Sequence, residues 1–165
     1  MAKAELERTV QQPLLDRLID EEPGLAGDPP ITWSQSVRQL KLSLRRDLEW
    51  LLNTRRIHLE APAAYEEVRR SLYHYGLPDV SSMSRDSGSD RARLLRNVED
   101  TIATFEPRLT NVRVSLAEGD TSSRRQVHFL IEAMLRMDPN PEPVVFDTVL
   151  EVSSGEYQVK GDVGA

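Results

Sequence analysis

Cysteine is absent from the 165-residue chain, so disulfides, thiolate metal sites and thiol nucleophiles are excluded and a reducing compartment is permitted. Histidine is scarce. His58, His74 and His128 are spaced too widely for the helical ligand pair of a zinc protease or for a zinc finger, and no metal or other cofactor is expected. The 8 glycines form no phosphate-cradling loop, and Ser153-Ser154-Gly155 lacks the flanks of a nucleophile elbow, so it reads as a turn. There is no excess of positive charge: the net charge of −6 argues against a general nucleic-acid or anionic-membrane binder, both of which need a basic face. No apolar run approaches the roughly 20 residues of a membrane span, and Met1 to Gln12 alternates charged and polar residues unlike a signal peptide. The expected address is the cytoplasm, with any membrane association made through partners.

What is present suffices for one domain, since 39% of residues are hydrophobic. Leu14, Leu15, Leu18 and Ile19 recur at helical spacing up to Glu22-Pro23-Gly24, which predicts a short amphipathic helix, a docking arm, followed by a linker over Gly24 to Pro30. Residues 1–30 are therefore set apart from a domain over 31–165. Thr32 and Gln35 have capping-box spacing, and Val37, Leu40, Leu44, Leu48, Leu51 and Leu52 follow the stripe of a half-buried helix that Asn53 can terminate. Arg55 and Arg56 fall in its exit loop, where side chains are free to meet another chain. A third helix is expected from about Ala63 to His74, then a turn at Tyr75-Gly76-Leu77-Pro78-Asp79 and a polar loop over Ser81 to Asp90. Leu94, Leu95, Val98, Ile102 and Phe105 return to helical period.

After Pro107 the pattern alternates in Val112, Val114 and Leu116, as it does in Val127, Phe129, Ile131, Ala133 and Leu135, with a hairpin suggested by Gly119-Asp120. Val144 to Val152 and Tyr157 to Val159 read as two more strands. Helices first and strands last predict an α+β domain, its N-terminal helices covering a mostly antiparallel C-terminal β-sheet.

Two chemistries merit comparison. Glycoside hydrolysis needs two carboxylates about 5–9.5 Å apart, and Glu99, Asp100, Glu106, Glu132, Asp147 and Glu151 supply candidates. With 27 acidic residues such pairs arise by chance, and at 5% aromatics the stacking platforms of a sugar cleft would fall to Trp33, Trp50 and a few tyrosines. The more distinctive feature is Glu106-Pro107-Arg108, where helix becomes strand. Proline pushes Glu106 towards extended geometry and suits the first strand position. Extended Glu106 and Arg108 would project from one face as an acceptor fork beside a donor fork, able to clasp a partner or to satisfy each other.

Five stretches carry a resemblance: Pro13 to Leu18, Asp47 to Arg55, Tyr75 to Asp79, Phe105 to Leu109 and Val145 to Val149. In this order they resemble the TssE family of type VI secretion baseplate subunits, relatives of the contractile phage-tail baseplate wedge. The resemblance implies a non-catalytic cytoplasmic subunit in a baseplate docked at the inner membrane of a Gram-negative bacterium, with TssF, TssG and TssK as neighbours. It also implies a fold related to the sheet domain of the sheath subunits TssB and TssC, onto which sheath strands add, and it assigns Glu106, Pro107 and Arg108 to wedge contact. Arg55 and Arg56 match a family segment, and the helix bearing Leu14, Leu15 and Leu18 is expected either to dock in a partner's groove or to pack on its own domain. A lysozyme-like peptidoglycan hydrolase, a label some relatives have carried, is the alternative.

Overall fold

A computed structural model describes residues 9–19, 23–24, 27, 31–59, 61–62, 64–79, 87–117 and 126–162. Most of the expected linker, the expected start of the third helix at Ala63, the loop residues 81–86 and the Gly119-Asp120 turn lie outside them. The chain divides into two compact units, residues 1–44 and 45–165.

In the first unit, α1 is the single turn Leu14–Leu18 and buries none of its residues. Five residues are too few for a helix to persist by propensity alone. The segment before it is held by hydrogen bonds: Val10 N–H donates to Ser36 Oγ at 3.1 Å and Gln12 Nε2 donates to Ser36 O at 2.8 Å. The helix α2, Trp33–Asn53, begins with the capping box read in the sequence. Thr32 N–H donates to Gln35 Oε1 at 2.8 Å and Gln35 N–H donates to Thr32 Oγ1 at 3.3 Å. All six apolar positions of its predicted stripe are buried.

In the second unit the expected third helix is two pieces, α3 at Glu66–Arg69 and a 3₁₀ turn at Leu72–His74. Ser71 divides them: its backbone is extended, and its hydroxyl accepts from Tyr73 N–H, so a hydroxyl cap replaces continued helix. His74 is buried, and its Nε2 accepts from Ala61 N–H at 3.3 Å, a structural role. The helix α4, Gly88–Phe105, starts earlier than expected because Ser87 caps it, accepting from Asp90 N–H at 3.2 Å. Four antiparallel strands follow, β1 (Leu109–Leu116), β2 (Gln126–Leu135), β3 (Glu142–Glu151) and β4 (Glu156–Asp162), in spatial order 1-2-3-4. This is the expected α+β arrangement. The period-2 pattern places Phe129, Ile131, Ala133 and Leu135 of β2 with Val144, Phe146, Thr148 and Leu150 of β3 and with Tyr157 and Val159 of β4, all buried.

The exit of α2 is tied to the Tyr75–Asp79 turn. Leu77 N–H donates to Thr54 O at 2.9 Å and Arg56 N–H donates to Leu77 O at 2.8 Å. Gly76 is required there: its φ is +96°, and a Cβ would collide with the Thr54 carbonyl. Gly76→Ala is therefore expected to cost about 1–3 kcal/mol, read as a fall in urea midpoint.

Tyr157 stands edge-on to Phe129, ring centroids 6.1 Å apart, and its buried hydroxyl has no hydrogen-bond partner among the described residues. Burial pushes its pKa above the ordinary tyrosine value. The folded state thus favours the neutral phenol, a contribution intact below about pH 10 and lost as pH climbs towards the raised pKa. Tyr157→Phe should raise stability by about 1 kcal/mol at neutral pH and flatten the alkaline decline, as measured by melting temperature against pH.

Candidate functional site

Where α4 ends, Glu106 N–H still donates to Ile102 O at 2.8 Å, but φ −117° and ψ 80° take the residue out of the helix ahead of Pro107. Pro107 and Arg108 form a turn, closed by Leu109 N–H donating to Glu106 O at 3.1 Å, and β1 begins only at Leu109. The two side chains consequently do not stand as parallel open forks. The turn folds Arg108 back on Glu106: Nε donates to Oε1 at 2.6 Å and Nη2 to Oε2. This is a bidentate ion pair within the chain, and Glu106 is only 6% exposed.

A third residue completes it. Asp47 of α2 accepts from Arg108 Nη2 at 2.7 Å through Oδ2, while its Oδ1 accepts from Arg46 Nε at 3.1 Å and Nη2 at 2.9 Å. Arg46 in turn lies over the ring of Trp50, 4.9 Å from its centroid, and Trp50 is 53% exposed. Tyr75 borders the cluster, edge-on to Phe105 at 5.4 Å, and its pKa is raised by burial and then by the negative charges of Asp47 and Glu106. Burial alone would lower the pKa of Arg108, but the hydrogen bonds and charges of Glu106 and then Asp47 outweigh it and raise it. Its Nη1 is buried with no partner among the described residues.

Of the sequence-predicted site residues, Glu106, Pro107 and Arg108 come together. Arg55 and Arg56 lie at the α2 exit, where Arg55 forms an isolated bridge with Leu77. Arg55 also lines a shallow cavity of about 100 Å³ with Asp79, Ser153, Ser154 and Gly155. Leu14, Leu15 and Leu18 belong to the first unit and are 69%, 46% and 74% exposed. Asp47, Arg46 and Tyr75 were not singled out from the sequence as site residues, and Trp50 was weighed there only as a stacking platform for a sugar. Asp47 is 61 positions from Arg108, and no local pattern links them.

Of the six candidate carboxylates, Glu106 and three others have partners within the chain. Glu99 accepts from Val114 N–H at 3.1 Å, Asp147 lies 3.7 Å from Lys160 Nζ, and Glu151 accepts from the Ser153 hydroxyl at 3.1 Å. Among the described residues no cluster of metal-ligating side chains occurs, and no helix is long and apolar enough to cross a membrane.

Removing one partner of a largely buried pair strands the other charge. Glu106→Gln is expected to cost about 3 kcal/mol. Asp47→Asn should cost about 1.5 kcal/mol, since Arg108 keeps its bidentate partner. Urea denaturation of both single variants and the double variant checks this, the double costing more than the two singles combined because it leaves Arg108 with neither carboxylate.

No curated protein matches the chain. A family match covers residues 38–140, from the second turn of α2 through β2, and includes Asp47, Glu106, Pro107 and Arg108. That is more than half of the sequence, and the family is described as a baseplate wedge protein, which supports a structural role in a phage-tail-like baseplate and implies contact with other baseplate components. By this match the chain belongs to the family of the baseplate wedge protein gp25.

Proposed function

We propose that the chain is the TssE subunit of a type VI secretion baseplate, a structural and non-enzymatic component working in the cytoplasm at the inner membrane. It joins TssF, TssG and TssK in the wedge and offers its C-terminal sheet as the template on which the TssB and TssC sheath starts to polymerise. The observation that carries this reading is the Asp47–Arg108–Glu106 cluster, built at a helix-to-strand junction inside the stretch matched by a baseplate wedge family.

Because Glu106 already occupies the Arg108 fork, wedge contact falls to the surface the cluster braces. Trp50 is its exposed member, with the half-buried Arg46 lying over the ring, and Trp and Arg are among the side chains most often found at binding hot spots. Arg55 and Arg56 add cationic contacts at the α2 exit. Exposure of Leu14, Leu15 and Leu18 supports a docking arm within residues 1–30 that lays its apolar side in a partner's groove.

Co-purification of tagged protein with the wedge subunits tests the proposal. Trp50→Ala, at an exposed position, should leave the melting temperature unchanged and weaken wedge recovery, whereas Arg108→Glu should lower both. Full recovery of the wedge with both variants would overturn the assignment of this surface.

A further inference from the structure

The exit of α2, the Tyr75–Asp79 turn and the β3–β4 turn line the shallow cavity of about 100 Å³ to which Arg55 belongs. Its walls are pinned. Arg55 forms its bridge with Leu77, while Thr54 O accepts from Leu77 N–H and Arg56 N–H donates to Leu77 O, so the backbone is held on both sides of the residue. Asn53, the last residue of α2, ties the start of β4 to the helix end: its Oδ1 accepts from Tyr157 N–H at 2.8 Å and its Nδ2 donates to Tyr157 O at 2.9 Å. The β3–β4 turn is closed by Gly155 N–H donating to Glu151 O at 2.7 Å, and Gly155 takes φ +72°. A Cβ on Gly155 would stand 3.7 Å from Arg55 Nη2, so the guanidinium lies against this turn.

The carboxylates around the cavity leave Arg55 alone. Its side chain makes no hydrogen bond or ion pair with any described residue. Asp79 lines the same cavity without pairing to it, and the Glu151 carboxylate is held by the Ser153 hydroxyl at 3.1 Å. Ser154 Oγ is used inside the turn, accepting from Glu156 N–H at 3.3 Å, whereas the backbone N–H groups of Ser153 and Ser154 have no acceptor among the described residues. A guanidinium keeps its charge and carries only donors, so it can be satisfied here only by an acceptor from outside the chain or by water. Leu52, Leu77, Pro78 and Val152 make up the apolar part of the lining.

We infer that this cavity is a carboxylate-binding site that takes one glutamate side chain presented by another protein chain. The Arg55 fork receives both carboxylate oxygens, and the apolar part of the lining covers the methylene stem. Size limits the ligand: about 100 Å³ admits the end of one side chain and excludes a nucleotide, which fills a pocket several times larger. Asp79 favours a singly charged carboxylate over a doubly charged phosphate, because its repulsion grows with the charge of the ligand. The inference rests on the reading of the α2 exit as a cationic contact surface and names the group that surface grips.

NMR titration of the full-length protein with glutamate capped as its N-acetyl amide tests the site. The Arg55 Nε–H signal and the Ser153, Ser154 and Gly155 amides should shift together and saturate. The capped glutamine analogue, N-acetylalanine with its free chain-terminal carboxylate, and inorganic phosphate should each bind at least about tenfold more weakly. Arg55→Gln should abolish the saturable shifts, and Arg55→Lys, which keeps the charge and loses the fork, should weaken binding about tenfold. Arg55 is exposed, so both variants should melt with the wild type. Absence of saturable shifts with the glutamate probe, or equal binding of the glutamine analogue, overturns the site. Tighter binding of N-acetylalanine or of phosphate overturns glutamate as its ligand. Wedge recovery with Arg55→Gln separates the two readings. Saturable probe binding to wild type with full recovery of the wedge by the variant leaves the carboxylate site standing and removes the α2 exit from the wedge contacts. Lost recovery without probe binding keeps the exit as a contact and discards the site.

Discussion

A guanidinium that cannot release its proton needs acceptors wherever it is withdrawn from water, and in the second unit Arg108 finds them at Nε and Nη2, while its buried Nη1 has none among the described residues. Glu106 supplies one carboxylate from the end of α4 and Asp47 another from α2, so a single cation connects two helices to the start of β1. Three elements far apart in the chain are indexed to one side chain. Asp47 then passes the constraint outwards, since its second oxygen orients Arg46 and Arg46 covers Trp50.

The sheet shows how a small antiparallel array leaves its ends manageable. An edge strand exposes unpaired backbone groups that invite pairing with any extended chain. Here both edges carry a plug from a helix side chain and an irregularity in register, Glu99 with the Thr110/Arg113 shift on β1 and Asn53 with the Phe146/Thr148 shift on β4. The plugs differ chemically, and that difference makes the edges unequal. A carboxylate takes one amide, while a carboxamide replaces a whole residue of a strand.

Elements governed by local rules were legible in the sequence. The Thr32/Gln35 capping box, the α2 stripe, the change from helical to alternating period at Pro107 and the run of four strands depend on neighbours a few residues apart, and all appear. Where a local signal had a competitor, the reading slipped: Ser71 caps a new turn and breaks the expected third helix, and Ser87 brings Gly88 into α4. The candidate site was half legible. Glu106, Pro107 and Arg108 drew attention because proline constrains its neighbours. That the forks close on each other depends on a turn at Pro107-Arg108, and the arrival of Asp47 depends on the fold. Asn53 was read as a helix terminator from its type, but its bonds to Tyr157, 104 positions away, are tertiary.

The close approach of Gly76 to the Thr54 carbonyl has a topological consequence. With Leu77 N–H on Thr54 O and Arg56 N–H on Leu77 O, the chain leaves and returns through one neck, and the described residues between 57 and 74 belong to a side branch hung from it. Ile57, Leu59, Tyr65 and Leu72 are all exposed on that branch. Its length and composition can therefore drift without moving α2 or the Arg108 junction, leaving a place where surface chemistry can diverge while the frame that carries it stays fixed.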